Sequence, residues 1–201
     1  MVFGHMISNP FDAVKGVQQP ETYREFLTKE ELLKLYNTPA ESDTLKRTCM
    51  FSALTGLRLG DVVKLRGEQI QHSESLGYFI RFTQSKTKGM ETLPISDEAL
   101  SLLGAYEESS DRIFGDYNFQ RDYAHLNRWL QRAGIRKKIT FHNFRHTFAT
   151  LQLAEGTDIY TVSKLLGHKH IHTTQIYGKV MDTTKTKAMK SIQLGIKSDN
   201  N

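Results

Sequence analysis

The feature of this sequence that most restricts its fold is the segment FHNFRHTFAT at residues 141–150. Its three phenylalanines recur at helical spacing, Thr140 stands before it as a candidate cap, and no proline interrupts it. This spacing predicts a helix with an aromatic face that packs against other elements. His142 and Arg145 lie one turn apart on another face of the same helix. The segment therefore predicts a central helix whose polar face is suited to holding an anion.

The remaining patterns predict an α+β fold, mainly α-helical, with a small antiparallel three-stranded sheet. The predicted strands are EQIQHS, GYFIRFT and METLPIS, and QSKTKG forms an exposed hairpin tip between the last two. The other helical segments are ELLKLY, SDTLKRTCMFSALTG, GDVVKL, EALSLLGAY, NFQRDYAHLNRWLQRAG and TDIYTVSKLLG. The predicted helix boundaries are a capping box of Thr28 and Glu31, a cap at Ser42 or Asp43, a stop at Gly56 and a cap at Asp97.

Composition indicates an ordinary globular chain that is long enough for a sizeable core. Hydrophobic residues make up 38% and charged residues 24% of the 201 positions. The sequence contains no apolar run near the roughly 20 residues that a membrane span needs, and no signal peptide is recognised. The single cysteine, Cys49, lies in an apolar helical pattern and predicts a buried, reduced thiol. We expect a cytoplasmic protein.

The chain divides into two parts by pattern. Residues 1–20 read as a vector scar followed by an interdomain linker, because the segment after MVFGHM is rich in proline and lacks periodicity. Residues 21–201 are predicted to form one domain, with a basic amphipathic tail from about residue 182. Net charge is +5, from 27 basic and 22 acidic side chains, which is compatible with a polyanionic partner without identifying one.

Four segments carry unusual polar chemistry, and each also has a structural explanation. An arginine in TGLRLGDV pairs readily with a nearby acid, a lysine at a hairpin tip is usually solvated, and a histidine at a helix start can cap it. The candidate functional residues in these segments are Arg58, Lys86, His142, Arg145, His168 and Tyr177.

Taken in order, these residues resemble the tyrosine recombinase family, also called phage integrases. The shared pattern is an arginine in TGLR, a hairpin lysine, His-x-x-Arg in HNFRHTFAT, LLGH, and a tyrosine in TTQIY. The resemblance covers residues from about 28 to 190, nearly the whole catalytic domain of that family. It implies that the family's amino-terminal DNA-binding domain is absent from this chain.

The resemblance implies a role for each residue. Tyr177 would attack a DNA backbone phosphate, leaving a 3′-phosphotyrosine and a free 5′-hydroxyl. Arg58 and Arg145 would clamp the phosphate. His142 and His168 would help to bind the phosphate and manage protons, and Lys86 would be the general acid for the departing 5′ oxygen.

Elementary chemistry supports these roles independently. Displacement at a phosphodiester builds charge on the non-bridging oxygens, and guanidinium groups offer planar donors that stay charged. A phenol with a pKa near 10 is only about 0.1% ionised at neutral pH, so the tyrosine needs a cationic pocket or a nearby imidazole. We expect no metal ion and no other cofactor. A zinc site in GHKHIH is the weaker interpretation, since Cys49 is distant and no carboxylate is interleaved.

Three further residues were weighed for the site. Asp61 follows Arg58 by three positions and is a candidate to orient it from behind. His146 lies one turn beyond His142 and is expected to be structural, as it usually is in the family. Tyr160, a rival nucleophile, is expected to pack in its helix, and Trp129 is expected in the core with Tyr123, Leu126 and Leu130.

The predicted function is a site-specific DNA recombinase or integrase catalytic domain. The expected partners are double-stranded DNA and, on DNA, other protomers of the same protein; no membrane partner is expected, and the isolated chain is expected to be a monomer. Two other functions remain open: relaxation of DNA in the manner of a type IB topoisomerase, and DNA-binding regulation without cutting. The tail from about residue 182 either docks on a neighbouring protomer or folds back on its own domain.

Overall fold

The computed structural model describes residues 24–83, 89–104, 106, 111–178 and 189. These residues form eight α-helices and a three-stranded antiparallel sheet, so the predicted α+β class is confirmed. The helices are α1 (Lys29–Asn37), α2 (Asp43–Thr55), α3 (Leu59–Val62), α4 (Asp97–Ser101), α5 (Phe119–Arg132), α6 (Phe141–Glu155), α7 (Ile159–Leu165) and α8 (His172–Gln175). Lys86, the predicted linker at residues 1–20 and, apart from Met189, the predicted tail lie outside the described residues. None of the helices in the described ranges is both long and apolar enough to cross a membrane.

The sheet covers one side of the core. Its strands are β1 (Ile70–Ser73), β2 (Gly77–Thr83) and β3 (Met90–Pro94), with β2 in the centre. Ile70, Ile80 and Leu93 face one another across the three strands, and all three are buried. This alternation of buried and exposed positions gives the sheet one apolar face, which fixes its register against the helices.

The main hydrophobic core lies between α2, α5, α6 and the sheet. Phe51, Trp129 and Phe144 are among its fully buried side chains. Trp129, Leu126 and Leu130 were predicted to be core residues, and this is confirmed.

The prediction that Tyr123 belongs to the core is wrong. The first turn of the buried face of α5 is occupied by Asp122, which pairs with Arg121 and accepts a hydrogen bond from the backbone of Asn118. Tyr123 is left exposed and stacks on Phe119.

A second, smaller hydrophobic cluster lies against the other half of α6. Its buried members are Phe148, Ala149, Leu153, Val162, Leu166 and Tyr177. Because Phe141 and Phe144 belong to the main core, α6 connects the two clusters. The prediction that Tyr160 packs in its helix is wrong: Val162, Ser163 and Leu166 form the buried side of this region, and the Tyr160 side chain is 60% exposed.

The ends of the helices can be compared with the predicted caps and stops. The capping box of Thr28 and Glu31 is confirmed, and Ser42 rather than Asp43 caps α2. The predicted cap at Asp97 is wrong, because Ser96 caps α4 and Asp97 is its first residue. Gly56 ends α2 as predicted, at a φ of 71° that favours glycine.

Candidate functional site

Five of the six predicted site residues lie within the described ranges, and the ends of four helices position them. They are Arg58 immediately before α3, His142 and Arg145 in the first half of α6, His168 just after α7, and Tyr177 just after α8.

Arg145 is the centre of this arrangement. Its side chain is only 3% exposed, and its guanidinium donates hydrogen bonds to the carbonyl oxygens of Gly56 and Leu166, both at 2.6 Å. These carbonyls belong to the carboxyl-terminal ends of α2 and α7, so one side chain ties two helix ends together. Neither carbonyl neutralises its charge. Burial, followed by the charge of Arg58, lowers the pKa of Arg145 to about 10, so it remains a cation at neutral pH.

Arg58 adds a second positive charge to the same place. Its backbone caps the start of α3, and its side chain is half-buried. The charge of Arg58 lowers the pKa values of both Arg145 and His168, which means that these groups share one electrostatic environment. Cations that repel one another in a partly buried pocket favour an anion between them.

His168 is held by both of its ring nitrogens. Nε2 lies 3.2 Å from Nη2 of Arg145, and Nδ1 lies 2.8 Å from Oγ1 of the buried Thr174. Because a guanidinium only donates, Nε2 is the acceptor, and the neutral ring carries its proton on Nδ1. Burial, then Arg145 and Arg58, lowers the pKa of His168 to about 4, so the ring is neutral at pH 7.

Tyr177 is turned inward. Its side chain is 5% exposed within the smaller cluster, and Oη lies 2.5 Å from Nδ1 of His146. Burial raises the pKa of Tyr177, while the charges of Arg145, Arg24 and Arg58 oppose that rise. The three arginine charges offset only part of the cost of burial, so the hydroxyl stays protonated in the free protein.

Two residues near the hydroxyl were not chosen from the sequence. The sequence predicts a structural role for His146, yet this residue contacts Tyr177 directly, and its ring lies 4.5 Å from that of the exposed His142. Its position one turn after His142 was the available signal. Nη1 of Arg24 lies 3.2 Å from Nε2 of His146. It ends a stretch without periodicity, so the sequence carried no signal for it.

Two more of the predicted residues are Lys86 and Asp61. Lys86 lies in the segment 84–88, outside the described residues, between the ends of β2 and β3. A cavity of about 460 Å³ is lined by Phe82 and Gly89, at the described ends of this hairpin, and by Gly167 and His168, so these strand ends lie across the cavity from the segment that carries His168. Asp61 is buried, and its charge raises the pKa of Arg145, which puts its carboxylate near the arginines.

The histidines of GHKHIH do not form a metal centre in this structure. His170 and His172 are exposed and stack on each other with ring centroids 5.6 Å apart. Across the ranges that the structure describes, no three His, Cys, Asp or Glu side chains are grouped so that they could hold a metal ion.

Comparison with known proteins identifies related sequences over most of the chain. The model of the phage integrase family matches residues 25–184. A tyrosine recombinase from Thermosipho africanus is 28% identical over 198 residues, which cover 94% of this chain and 69% of that protein. The match therefore leaves nearly a third of that relative without a counterpart here.

Two solved structures share the fold. The catalytic domain of bacteriophage HP1 integrase is 27% identical, with a TM-score of 0.62, over 87% of this chain and 98% of that one. The XerH site-specific recombinase, in a post-cleavage complex with palindromic difH substrate, is 20% identical with a TM-score of 0.63, over 83% of this chain and 52% of that one.

Proposed function

This chain belongs to the phage integrase family of tyrosine recombinases, and from that premise we propose that it breaks and rejoins DNA strands through a covalent phosphotyrosine at Tyr177. The observation that carries the proposal is the pocket around Arg145. The buried guanidinium of Arg145, whose hydrogen bonds to Gly56 and Leu166 go to uncharged carbonyls, lies with a second arginine and a neutral histidine near a tyrosine hydroxyl.

A DNA phosphate fits this site because its negative charge complements two arginines, against which the buried carboxylate of Asp61 sets only one negative charge. Arg145 and Arg58 present charge-assisted donors, each worth about 1.5–3 kcal/mol when well aligned. The charge on the non-bridging oxygens grows as the phosphorus becomes five-coordinate. The same donors therefore bind the transition state more strongly than the ground state.

The bonds balance in a simple way. Oη of Tyr177 forms a bond to phosphorus, the bond from phosphorus to the 5′ oxygen breaks, and the 5′ oxygen takes a proton that we assign to Lys86. The proton of the phenol passes to water on the side where the phosphate enters, and Lys86 regains a proton from water after it has protonated the 5′ oxygen. Attack by the 5′-hydroxyl of another strand reverses these steps and releases Tyr177. The phosphoester energy is kept throughout, so resealing needs no ATP.

The inward orientation of Tyr177 makes the pocket dependent on DNA. As the structure stands, Oη contacts His146 rather than solvent. Attack requires the phosphate to approach this hydroxyl, or the tyrosine to move out toward the phosphate. We propose that DNA binding brings about this approach and thereby controls when cleavage occurs.

Double-stranded DNA and other protomers on that DNA are the partners that we propose. The comparison supports the first, since the XerH structure holds its difH substrate in the same fold. A monomeric state for the isolated chain and a cytoplasmic location remain predictions. The free, buried thiol of Cys49 agrees with the predicted reduced surroundings.

The test uses a duplex nicked close to the cleavage point, so that the short 5′ fragment diffuses away and traps the intermediate. The wild-type chain should form a covalent protein–DNA band in denaturing gels, and Tyr177→Phe should form none. The substitution keeps the aromatic ring in the smaller cluster, so loss of the band reports on the hydroxyl. A band that persists in Tyr177→Phe would assign the nucleophile to another residue.

A further inference from the structure

Two side chains near the Tyr177 hydroxyl, His146 and Arg24, are not among the six predicted site residues, and the proposed mechanism gives them no role. His146 is 4% exposed, and it lies between Oη of Tyr177 at 2.5 Å and Nη1 of Arg24 at 3.2 Å. Arg24 itself is exposed, in the stretch that precedes α1. The pair thus connects the surface of the protein to the buried hydroxyl.

The donors and acceptors of this chain fix the position of one proton. A guanidinium has no acceptor, so Arg24 donates and Nε2 of His146 accepts. The neutral imidazole then carries its proton on Nδ1 and donates it to Oη of Tyr177. Burial, followed by His142 and Arg24, lowers the pKa of His146 to about 3, which keeps the ring neutral at pH 7.

A hydroxyl that accepts a hydrogen bond from Nδ1 is prepared for attack in two respects. The donor stabilises the negative charge that develops on Oη when the phenol loses its proton. The bond also directs the hydroxyl's own hydrogen away from His146. His146 does not act as the base in this arrangement, since Nδ1 is already protonated and Nε2 is occupied by Arg24.

We infer that Arg24 and His146 form a positioning pair for the nucleophile, in which Arg24 selects the imidazole tautomer and His146 holds Oη of Tyr177 as a hydrogen-bond acceptor. This inference rests on the proposed function. It extends the site to a residue that precedes the first helix, and it assigns to His146 a role other than packing.

The experiment measures the rate of covalent complex formation on the nicked duplex at saturating DNA, so that changes in DNA affinity do not affect it. His146→Leu should react about 100-fold more slowly, and Arg24→Leu about 10-fold more slowly, as is typical when an orienting partner is removed. His146→Asn, which restores an N–H donor near the position of Nδ1, should stay within about 10-fold of the wild type. Lys29→Leu, which removes a nearby exposed cation paired with Glu155, is the matched control and should react at the wild-type rate.

Two further measurements separate a positioning role from packing and from leaving-group chemistry. The double variant Arg24→Leu with His146→Leu should be at most about 3-fold slower than His146→Leu alone, because Arg24 acts mainly through His146 and only secondarily through its charge on Tyr177. In a substrate with sulfur in place of the bridging 5′ oxygen, the leaving group is a thiolate, which departs without protonation. It should restore the rate of Lys86→Ala but leave His146→Leu and Arg24→Leu slow.

Several outcomes would overturn the inference. These are a wild-type rate for Arg24→Leu at saturating DNA, multiplied defects in the double variant, no recovery with asparagine, or rescue of His146→Leu by the sulfur substrate. Because Arg24 is exposed, its variant tests the inference even if His146→Leu fails to fold. Failure of the proposed function is distinct: in that case the wild type forms no covalent complex, or Tyr177→Phe still forms one.

Discussion

At the scale of single residues, the guanidinium of Arg145 has two roles, one in stabilising the fold and one in the proposed chemistry. It satisfies the carbonyls of Gly56 and Leu166 in the interior, while its charge remains directed at the proposed phosphate site. A planar, forked donor suits both tasks, because it has enough N–H groups to hold two carbonyls and still bind an anion.

Arg145→Lys should therefore weaken both stability and cleavage. A single ammonium group cannot reach both carbonyls, and one buried carbonyl left without a donor costs about 1–3 kcal/mol of unfolding free energy. Loss of the paired donors to the phosphate should also slow covalent complex formation by about 100-fold or more. Urea denaturation and the nicked-duplex assay measure the two effects.

The control for this substitution is Arg128→Lys, at an exposed arginine that pairs with Glu41. It should cost less than about 1 kcal/mol and leave cleavage unchanged. Equal urea midpoints for Arg145→Lys and the wild type would contradict the structural task assigned to Arg145.

At the scale of secondary structure elements, the turn at Gly56 joins α2 to the site. A Cβ at this position would lie 2.5 Å from Cδ1 of Phe148, which belongs to the smaller hydrophobic cluster. The turn thus brings the backbone of one helix end against α6, and this close approach places the Gly56 carbonyl within reach of Arg145.

Gly56→Ala should destabilise the protein by about 2–5 kcal/mol, from the left-handed backbone conformation and from overpacking against Phe148. The matched control is Gly77→Ala, since Gly77 has a similar φ of 66° and no atom within 4 Å of the added Cβ. The control should lose only the backbone contribution, about 1–2 kcal/mol. If the two variants lost the same free energy of unfolding in urea denaturation, the contact with Phe148 would not contribute to the effect of Gly56→Ala.

The elements also show what the sequence predicted and where it failed. The Thr28–Glu31 capping box and the stop at Gly56 gave correct helix ends, and the aromatic spacing of α6 gave its buried face, because these local signals act within one or two turns. Tyr123 and Tyr160 were misplaced, because helical spacing identifies faces but not which face a partner element covers.

The same limit explains the missed residues of the site. His146 contacts Tyr177 across 31 positions, and Arg24 contacts His146 across 122. No local pattern encodes a pairing at such separations. The residues that match the family pattern were identified from their order along the chain, but the orienting pair behind the hydroxyl became visible only in three dimensions.

At the scale of the whole molecule, two pairs of basic side chains differ in their surroundings. Arg128 and Arg132 are paired with Glu41, whose charge they largely neutralise. Lys164 and Lys169 are exposed and line the cavity beside His168. Only the second pair adjoins the proposed phosphate site, so it should contribute more to DNA binding.

Replacing both Lys164 and Lys169 by alanine should weaken DNA binding and reduce its salt dependence. Each lost phosphate contact removes about 0.9 from the slope of log K against log salt concentration, or about 1.8 for the pair. The control, Arg128→Ala with Arg132→Ala, should leave the slope at the wild-type value. Titrations of duplex DNA at several salt concentrations measure both, and a larger loss in the control would place the DNA on another face.

The membership of Tyr177 in the smaller hydrophobic cluster has an energetic consequence. Withdrawing a buried aromatic ring leaves a void, and voids of this size typically cost about 3–5 kcal/mol in protein interiors. If the ring must move outward to react, this cost means that Tyr177 is exposed in only about one molecule in a hundred, or fewer, in the absence of DNA. Under the proposed function, a brief encounter with non-target DNA would therefore seldom find the tyrosine in a position to attack.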